Sequence, residues 1–178
     1  DIVDEKCPME KLIITKSLRS GYKNPRQIAH KVLADRIAAR DPGGKPSPGD
    51  RIPFVYVHTK KAGALQGEKI ETPSYIVENK VKIDYSFYIS NQLMKPIQQV
   101  FALVLEKIWK SQNKLIKIKK FRDEVKKLRK SCEEDKFDTK LEQLKNKEVK
   151  ALLFDEYLRV TNNSKAGNNE ITSFFGRR

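Results

Sequence analysis

The second half of the chain carries apolar residues at helical intervals, and this periodicity constrains the fold more than any other feature. Between residues 115 and 132 the apolar positions are separated by three, three, four, three and four residues. They are Leu115, Ile118, Phe121, Val125, Leu128 and Cys132. Residues spaced in this way lie along one side of an α-helix, so the pattern predicts a helix that buries one face.

Similar stripes lie before and after this helix. Upstream, the sequence predicts one long helix over residues 85–110, with Asp84 as its N-cap and a local break at Pro96. Downstream, a further helical pattern runs through residues 141–158. The polar segment 133–138 between the stripes predicts a turn, so the simplest arrangement is an antiparallel helical hairpin.

The first half of the chain has a different pattern. Lys11–Thr15 and Arg51–His58 are rich in β-branched and aromatic residues, which predicts strands. Pro53 favours an edge position for the second strand, because proline cannot donate a ladder hydrogen bond. Between the strands, Pro25 suits a first helical residue and opens a helix predicted over residues 25–40.

These patterns predict an α+β fold: a mostly helical domain with a small antiparallel sheet, followed by a basic helical hairpin. The polar residues 161–170 offer nothing to bury, so we expect a disordered tail there. We therefore divide the chain into a core over 1–110, a basic helical insertion over 111–160 and a flexible tail over 161–178.

The charge of the chain indicates a polyanionic partner. Its 178 residues include 37 Lys and Arg against 23 Asp and Glu, a net charge of +14. Residues 110–150 alone contain fifteen Lys or Arg against eight Asp or Glu. Nucleic acid is the first candidate and an anionic membrane surface the second, although lysines on a helix face can also be simply solvated. No apolar run approaches the length that spans a bilayer, and we expect no membrane partner.

Motifs for catalysis and metal binding are missing from the sequence. It contains no Gly-rich phosphate loop, no HExxH and no GxSxG, and its carboxylates are scattered among lysines. Cys7 and Cys132 form no CxxC pair, and His30 and His58 stand alone, which argues against a zinc site or a disulfide framework. We expect no catalytic residue, metal or cofactor in this segment, and an intracellular location.

Cations and hydroxyl groups cluster around the predicted strand ends. Thr15, Lys16 and Arg19 leave the first strand, Lys23 follows them, and Arg51 opens the second strand. Phosphate groups are bound by this mixture of positive charge and short hydrogen-bond donors. Contacts of this kind are made to the nucleic-acid backbone, so we expect binding without sequence preference.

Several blocks, taken in order, resemble the thumb of family B DNA polymerases, above all the delta-type enzymes and those of large DNA viruses. The first blocks are Leu12–Leu18, Tyr22, Gln27–His30, Ala38–Gly43 and Gly49–Tyr56. The later ones are Gln66–Ile70, Ile83–Pro96 and Gln99–Val104. The resemblance covers residues 10–106 and implies a DNA-directed DNA polymerase acting in DNA replication.

The resemblance also implies roles for individual residues. Thr15 and Lys16 correspond to family residues that contact the duplex backbone, and Tyr88, Asn91 and Gln92 to residues near the bound strand. For the last three, helix packing and capping is an alternative. The implied partners are the primer–template duplex and the palm, fingers and exonuclease domains.

The family's metal-binding aspartates are not in this sequence. The resemblance therefore implies that Mg²⁺ is bound in a missing palm domain and that this segment alone cannot polymerise. The delta-type enzymes also carry a C-terminal cysteine-rich module, and no cysteine follows Cys132, which favours a viral-type member. The expected location is the nucleus or a viral replication compartment of the host cell.

The last residues resemble a sliding-clamp-binding box, formed by Asn168, Ile171, Phe174 and Phe175. Ile171, Phe174 and Phe175 fall on one side of a single helical turn, although Asn168 stands where Gln is usual. The resemblance implies a sliding clamp as partner; alternatively, the two phenylalanines fold back onto the domain. For the whole chain, the alternatives are a stand-alone, non-enzymatic, basic DNA-binding protein and an amphipathic membrane-surface protein.

Overall fold

A computed structural model of the chain describes residue 2 and residues 4–165. It divides into two compact units. The sheet unit extends to Tyr88, and the helical unit comprises Ile89–Asn163. The change in composition near residue 110 is therefore not the boundary between the compact units, because the preceding helix packs with the helices that follow it.

The sheet unit contains three strands and three helices. The strands are β1 (Ile14–Ser17), β2 (Arg51–Tyr56) and β3 (Ile70–Glu71); the helices are α1 (Ala29–Arg40), α2 (Pro73–Asn79) and α3 (Tyr85–Tyr88). Short 3₁₀ turns cover Met9–Leu12, Pro25–Gln27 and Gln66–Lys69. The strands form one antiparallel sheet in the order β1-β2-β3. The predicted helix from Pro25 thus begins as a 3₁₀ turn and becomes α-helical at Ala29.

Strand β2 is the central strand, whereas Pro53 had favoured an edge position. Pro53 lies opposite Thr15 in the register of β1 and β2. At the end of the same ladder, the Leu18 N–H donates to the Asp50 carbonyl at 2.8 Å, so Leu18 and Asp50 are a hydrogen-bonded pair. Hydrogen-bonded and non-hydrogen-bonded pairs alternate along an antiparallel ladder, and Pro53 is three positions from Asp50. Pro53 and Thr15 are therefore a non-hydrogen-bonded pair, and the nitrogen of Pro53 points away from β1. Strand β3 pairs only with Val55 and Tyr56, so the proline occupies a position of β2 where no ladder donor is needed.

Apolar clusters lie on both faces of the sheet. On one face Ile52 and Phe54 pack against Leu33 and Ala34 of α1. Successive strand residues point to opposite faces, and Val55 and Val57 accordingly join a second cluster with Leu12, Ile76, Tyr85 and Tyr88. The sheet is thus buried on both sides at the carboxyl end of β2, while the other end leaves Arg51 and Pro53 exposed.

The helical unit contains a π-helical turn (Ile89–Leu93), α4 (Met94–Ser111), α5 (Leu115–Ser131), α6 (Glu134–Leu153) and α7 (Asp155–Lys165). Helical structure over the predicted range 85–110 is present without a gap, and the irregularity expected near Pro96 is the π-helical turn Ile89–Leu93. Pro96 follows this turn and has no N–H to donate to it. The core is formed by Leu105, Trp109, Ile118, Phe121 and Val149, and it packs α4 together with the consecutive helices α5 and α6.

Several predicted boundaries are wrong. The strand expected over Lys11–Thr15 lies at Ile14–Ser17, and Lys11 and Leu12 belong to a 3₁₀ turn. The turn expected over 133–138 is confined to Cys132 and Glu133, because α6 already begins at Glu134. Residues 161–165, expected to be disordered, continue α7, and the Thr161 hydroxyl donates to the Tyr157 carbonyl at 3.1 Å. The α+β class, mostly helical with a small antiparallel sheet, is confirmed.

Candidate nucleic-acid interface

Part of the sheet surface presents hydroxyl groups and a guanidinium group. Thr15 pairs with Pro53 and Ser17 with Arg51, so these four residues share one face of β1 and β2. Ser17, Arg51 and Pro53 are exposed, and Thr15 is half-buried. Two short hydroxyl side chains beside a cation are suited to bind a phosphate group.

Lys16 lies on the opposite face of β1, where its strand partner is Ile52. The positive charges of Lys16 and Arg19 both lower the pKa of His30, so the two cations lie within electrostatic reach of this ring. The structure therefore does not bring Thr15 and Lys16 together on one face. It places Thr15 with Arg51, and Lys16 with Arg19 near the start of α1.

Tyr22 and His30 hold the loop that follows β1. The backbone N–H of Arg19 donates to the Tyr22 hydroxyl at 2.8 Å, and this hydroxyl lies 3.0 Å from Nε2 of His30. The pKa of His30 is lowered mainly by burial and by Lys16, against a hydrogen bond to the backbone of Ser17 that raises it. A neutral ring that donates to Ser17 can accept the Tyr22 proton at its other nitrogen.

The Pro/Gly-rich loop before β2 is tied to the same strand end. Gly49 N–H donates to the Leu18 carbonyl at 2.8 Å, and Ser47 N–H donates to the Asp50 carboxylate at 2.7 Å. Gly49 has φ of +103°, a backbone conformation that residues with a Cβ rarely adopt. These contacts fix the chain immediately before Arg51.

Two arginines of α1 have structural partners, which the sequence did not reveal. Arg40 donates to both oxygens of Glu71, at 2.8 and 3.1 Å, and Arg36 donates to the Gly67 carbonyl at 2.8 Å. The hydrogen bond to Glu71 raises the pKa of Arg40. The guanidinium of Arg40 also lies 3.7 Å from the ring centre of Tyr75. The pairing signal in the sequence is weak, since Glu71 lies 31 residues from Arg40.

Tyr88, predicted to lie near the bound strand, is only 3% exposed. Its hydroxyl donates to the Leu12 carbonyl at 2.8 Å and accepts from the Tyr56 N–H at 2.9 Å. Burial raises the pKa of Tyr88 to about 12. Because both its ring and its hydroxyl are engaged inside the sheet unit, we assign Tyr88 to packing rather than to DNA contact, which was the alternative considered above.

The remaining predicted residues are accessible. Lys23 is exposed in the loop between β1 and α1. In the π-helical turn of the helical unit, Gln92 is exposed and Asn91 is half-buried. The predicted clamp-binding residues Asn168, Ile171, Phe174 and Phe175 lie outside the described residues.

The helical unit adds a basic surface that is mostly polar and exposed. Two cations of α5 form ion pairs: Lys117 lies 2.9 Å from Glu148, and Arg122 lies 2.6 Å from Glu106. The other cations on α5 are exposed; they are Lys119, Lys120, Lys126, Lys127, Arg129 and Lys130. Over residue 2 and residues 4–165, no cluster of three metal-ligating side chains occurs, and no helix is long and apolar enough to cross a membrane.

Comparison with known proteins identifies the family. Residues 1–104 match the model of DNA polymerase family B. The chain is 50% identical, over 98% of its length, to a DNA polymerase of Pyramimonas orientalis virus and covers 14% of that protein. It is 48% identical to the DNA polymerase of Acanthamoeba polyphaga mimivirus, over 59% of this chain and 6% of the relative.

A cellular enzyme is also similar. The chain is 36% identical to the DNA polymerase delta catalytic subunit of Candida albicans, over 59% of this chain and 10% of the relative. The chain thus spans about a seventh or less of the length of these relatives. The match to the family model covers more than half of the chain, and the chain therefore belongs to the family B DNA polymerases.

Proposed function

We propose that this chain is the thumb segment of a DNA-directed DNA polymerase and that it grips the primer–template duplex through the DNA backbone. The observation that carries the proposal is the cluster of accessible cations and hydroxyls at the ends of β1 and β2, held in place by backbone hydrogen bonds. Membership of a DNA polymerase family supports a duplex rather than another polyanion as the ligand.

The two faces at these strand ends have separate roles. Thr15, Ser17 and Arg51 offer a hydroxyl-rich contact to one phosphate group, while Lys16 and Arg19 contact the backbone from the side of α1. Lys23, Asn91 and Gln92 add further contacts. None of these residues needs to reach a base edge, so the grip is independent of sequence and depends strongly on salt.

The chemistry belongs to the full-length polymerase. Nucleotidyl transfer needs carboxylates that hold two metal ions, and we propose that these lie in another domain of the polypeptide. Acting in DNA replication inside a cell, the thumb segment would contribute processivity rather than bond making. Membership of this family favours this function over a stand-alone DNA-binding protein.

The test is Lys16→Ala in the full-length polymerase, with Lys60→Ala, an exposed lysine of the same unit, as the matched control. Loss of one phosphate contact should make the slope of log K against log [salt] less negative by about 0.9 and weaken primer–template affinity. Lys60→Ala should leave both unchanged. If Lys16→Ala changes the salt dependence no more than the control does, Lys16 makes no phosphate contact.

We infer that the C-terminal residues bind a sliding clamp. The inference rests on the sequence alone: Ile171, Phe174 and Phe175 have the spacing of a three-point apolar plug, and the amide of Asn168 precedes them. Calorimetry of a peptide of residues 161–178 against the cognate clamp should show binding that the double substitution Phe174→Ala, Phe175→Ala removes. Asn168→Gln should bind at least as well as the natural peptide. Equal binding of natural and double-Ala peptides would exclude this role for the two phenylalanines.

A further inference from the structure

Helix α4 has two apolar sides. On one side, Phe101, Leu105 and Trp109 pack into the core of the helical unit. On the other side, large apolar side chains are exposed: Leu93, which immediately precedes the helix, by 40%, Val100 by 62%, Leu103 by 81% and Val104 by 36%. The helical unit therefore uses only one of these two sides for its own folding.

Three of these exposed residues and the half-buried Ile97 form a continuous stripe. Leu93, Ile97, Val100 and Val104 are separated by four, three and four residues, which is the spacing of a helix face that packs against another element. Leu103 borders the stripe. At 1.5 Å per residue the stripe is roughly 16 Å long. None of its positions is charged, although the chain as a whole is rich in lysine.

Such a surface is typical of an interface. Single exposed apolar residues are normal on protein surfaces, whereas contiguous apolar surface marks a site of interaction. Each Å² of apolar surface removed from water contributes about 25 cal/mol of stabilising free energy, so a partner that covers the stripe stabilises the complex.

Based on the proposed function, we propose that this stripe docks onto an apolar surface of another domain of the same polymerase polypeptide. The chain spans 14% of its viral relative from Pyramimonas orientalis virus and 10% of the delta subunit from Candida albicans, so most of such a polypeptide lies outside this chain. Covalent attachment gives those domains a high effective concentration at the stripe. Interfaces between domains of one chain are also of modest size, about 600–1,500 Å².

The position of the stripe supports a contact inside the polymerase. Residues 93–104 fall within the segment 1–104 that matches the family model, whereas α5, α6 and α7 follow it. A contact that the family's common architecture requires is expected in the matched segment. A partner specific to this lineage is expected on the later helices.

The first test compares two substitutions on α4 in the full-length polymerase. Val100→Asp and Gln99→Asp introduce the same charged residue at adjacent, exposed positions of α4, but only Val100 lies on the stripe. If the stripe is covered by another domain, Val100→Asp buries a charge and lowers the melting temperature well below that of Gln99→Asp. Equal melting temperatures for the two variants would overturn the proposal.

The second test remains informative if Val100→Asp fails to fold. A photo-crosslinking amino acid replaces Leu103 in the full-length polymerase, and Lys119 on α5 serves as the control position. Irradiation should cross-link position 103, far more than position 119, to a peptide of the same polypeptide outside these 178 residues. Cross-links between two polymerase molecules, cross-links within these residues, or equal yields at both positions would each overturn the proposal. These outcomes do not depend on DNA, so failure here is distinct from an unchanged salt slope for Lys16→Ala.

Discussion

The two units of the molecule are stabilised in different ways. In the sheet unit, polar side chains bond to backbone groups far away in the sequence. Tyr88 reaches the Leu12 carbonyl across 76 residues, and Tyr85 reaches the Glu5 carbonyl across 80. In the helical unit the core between the helices is apolar, around Trp109 and Leu105, and Gln98 makes a long-range hydrogen bond to a backbone carbonyl, that of Asn146, at 2.8 Å.

This difference indicates in which unit the positions of functional side chains are fixed most closely. Long-range hydrogen bonds have a defined direction, so they fix the backbone from which Thr15, Lys16 and Arg51 project. Apolar packing tolerates small shifts of whole helices, and a basic surface on such helices attracts a polyanion without fixing its position. Polar substitutions should therefore disturb function most in the sheet unit, and volume changes should disturb stability most in the helical unit.

The largest effect is expected for Trp109→Ala. Trp109 is 0% exposed and packs against Phe121 at a ring-centroid distance of 5.4 Å. Removing a buried tryptophan costs about 3–5 kcal/mol, because burial is lost and a cavity remains. Hydrogen exchange should show lost protection in α4, α5 and α6, with β1 and β2 still protected. An equal loss of protection in both units would show that the sheet unit depends on the core of the helical unit for its stability.

A smaller loss of about 1–3 kcal/mol is expected for Tyr88→Phe. The substitution removes the hydroxyl from its contacts with the Leu12 carbonyl and the Tyr56 N–H and leaves both backbone groups without this partner. Tyr157→Phe is the matched control, since Tyr157 is half exposed in the helical unit. Urea unfolding measures the two free energies. Equal losses would show that the buried hydroxyl adds no stability.

The sequence predicted the elements whose signals are local. Helices with apolar residues at intervals of three and four were found because this spacing is set by the helix itself, as for Ile118 and Phe121. The strand from Arg51 was found from its β-branched and aromatic residues. The π-helical turn before Pro96, where a break was expected, is also consistent with local chemistry, since proline lacks the N–H of the helix ladder.

Features that depend on distant partners were not predictable. The pairing of Arg40 with Glu71 and the burial of Tyr88 are decided by residues 31 to 76 positions away. The central position of β2 depends on where β3 pairs, which Pro53 alone does not indicate. At the candidate interface, residue types identified Thr15 and Lys16, but only the register of β1 and β2 revealed that they face opposite sides.

Tyr22→Phe should have a modest effect that is larger on DNA binding than on stability. The hydroxyl links the Arg19 N–H to the ring of His30, at 2.8 and 3.0 Å. A hydrogen bond of this kind stabilises by about 0.5–1.5 kcal/mol, and its loss frees the loop that carries Arg19. In the full-length polymerase the rate of dissociation from primer–template should increase. An unchanged rate would mean that Arg19 needs no support from Tyr22.

The smallest effect concerns pH. Burial and the charge of Lys16 lower the pKa of His30 below its ordinary value of 6.5 in the folded chain. As the pH falls through 6.5, the unfolded chain takes up a proton at this position before the folded chain does, so the free energy of unfolding decreases. The decrease continues until the His30 ring is also protonated in the folded chain. That protonation adds a third positive charge beside Lys16 and Arg19 and removes the acceptor for the Tyr22 hydroxyl. His30→Gln should abolish the part of this decrease in unfolding free energy below pH 6.5 that comes from His30. His58→Gln should leave that part in place. Urea unfolding at several pH values gives the comparison, and superimposable curves for the natural chain and His30→Gln would show that the His30 ring does not link stability to pH.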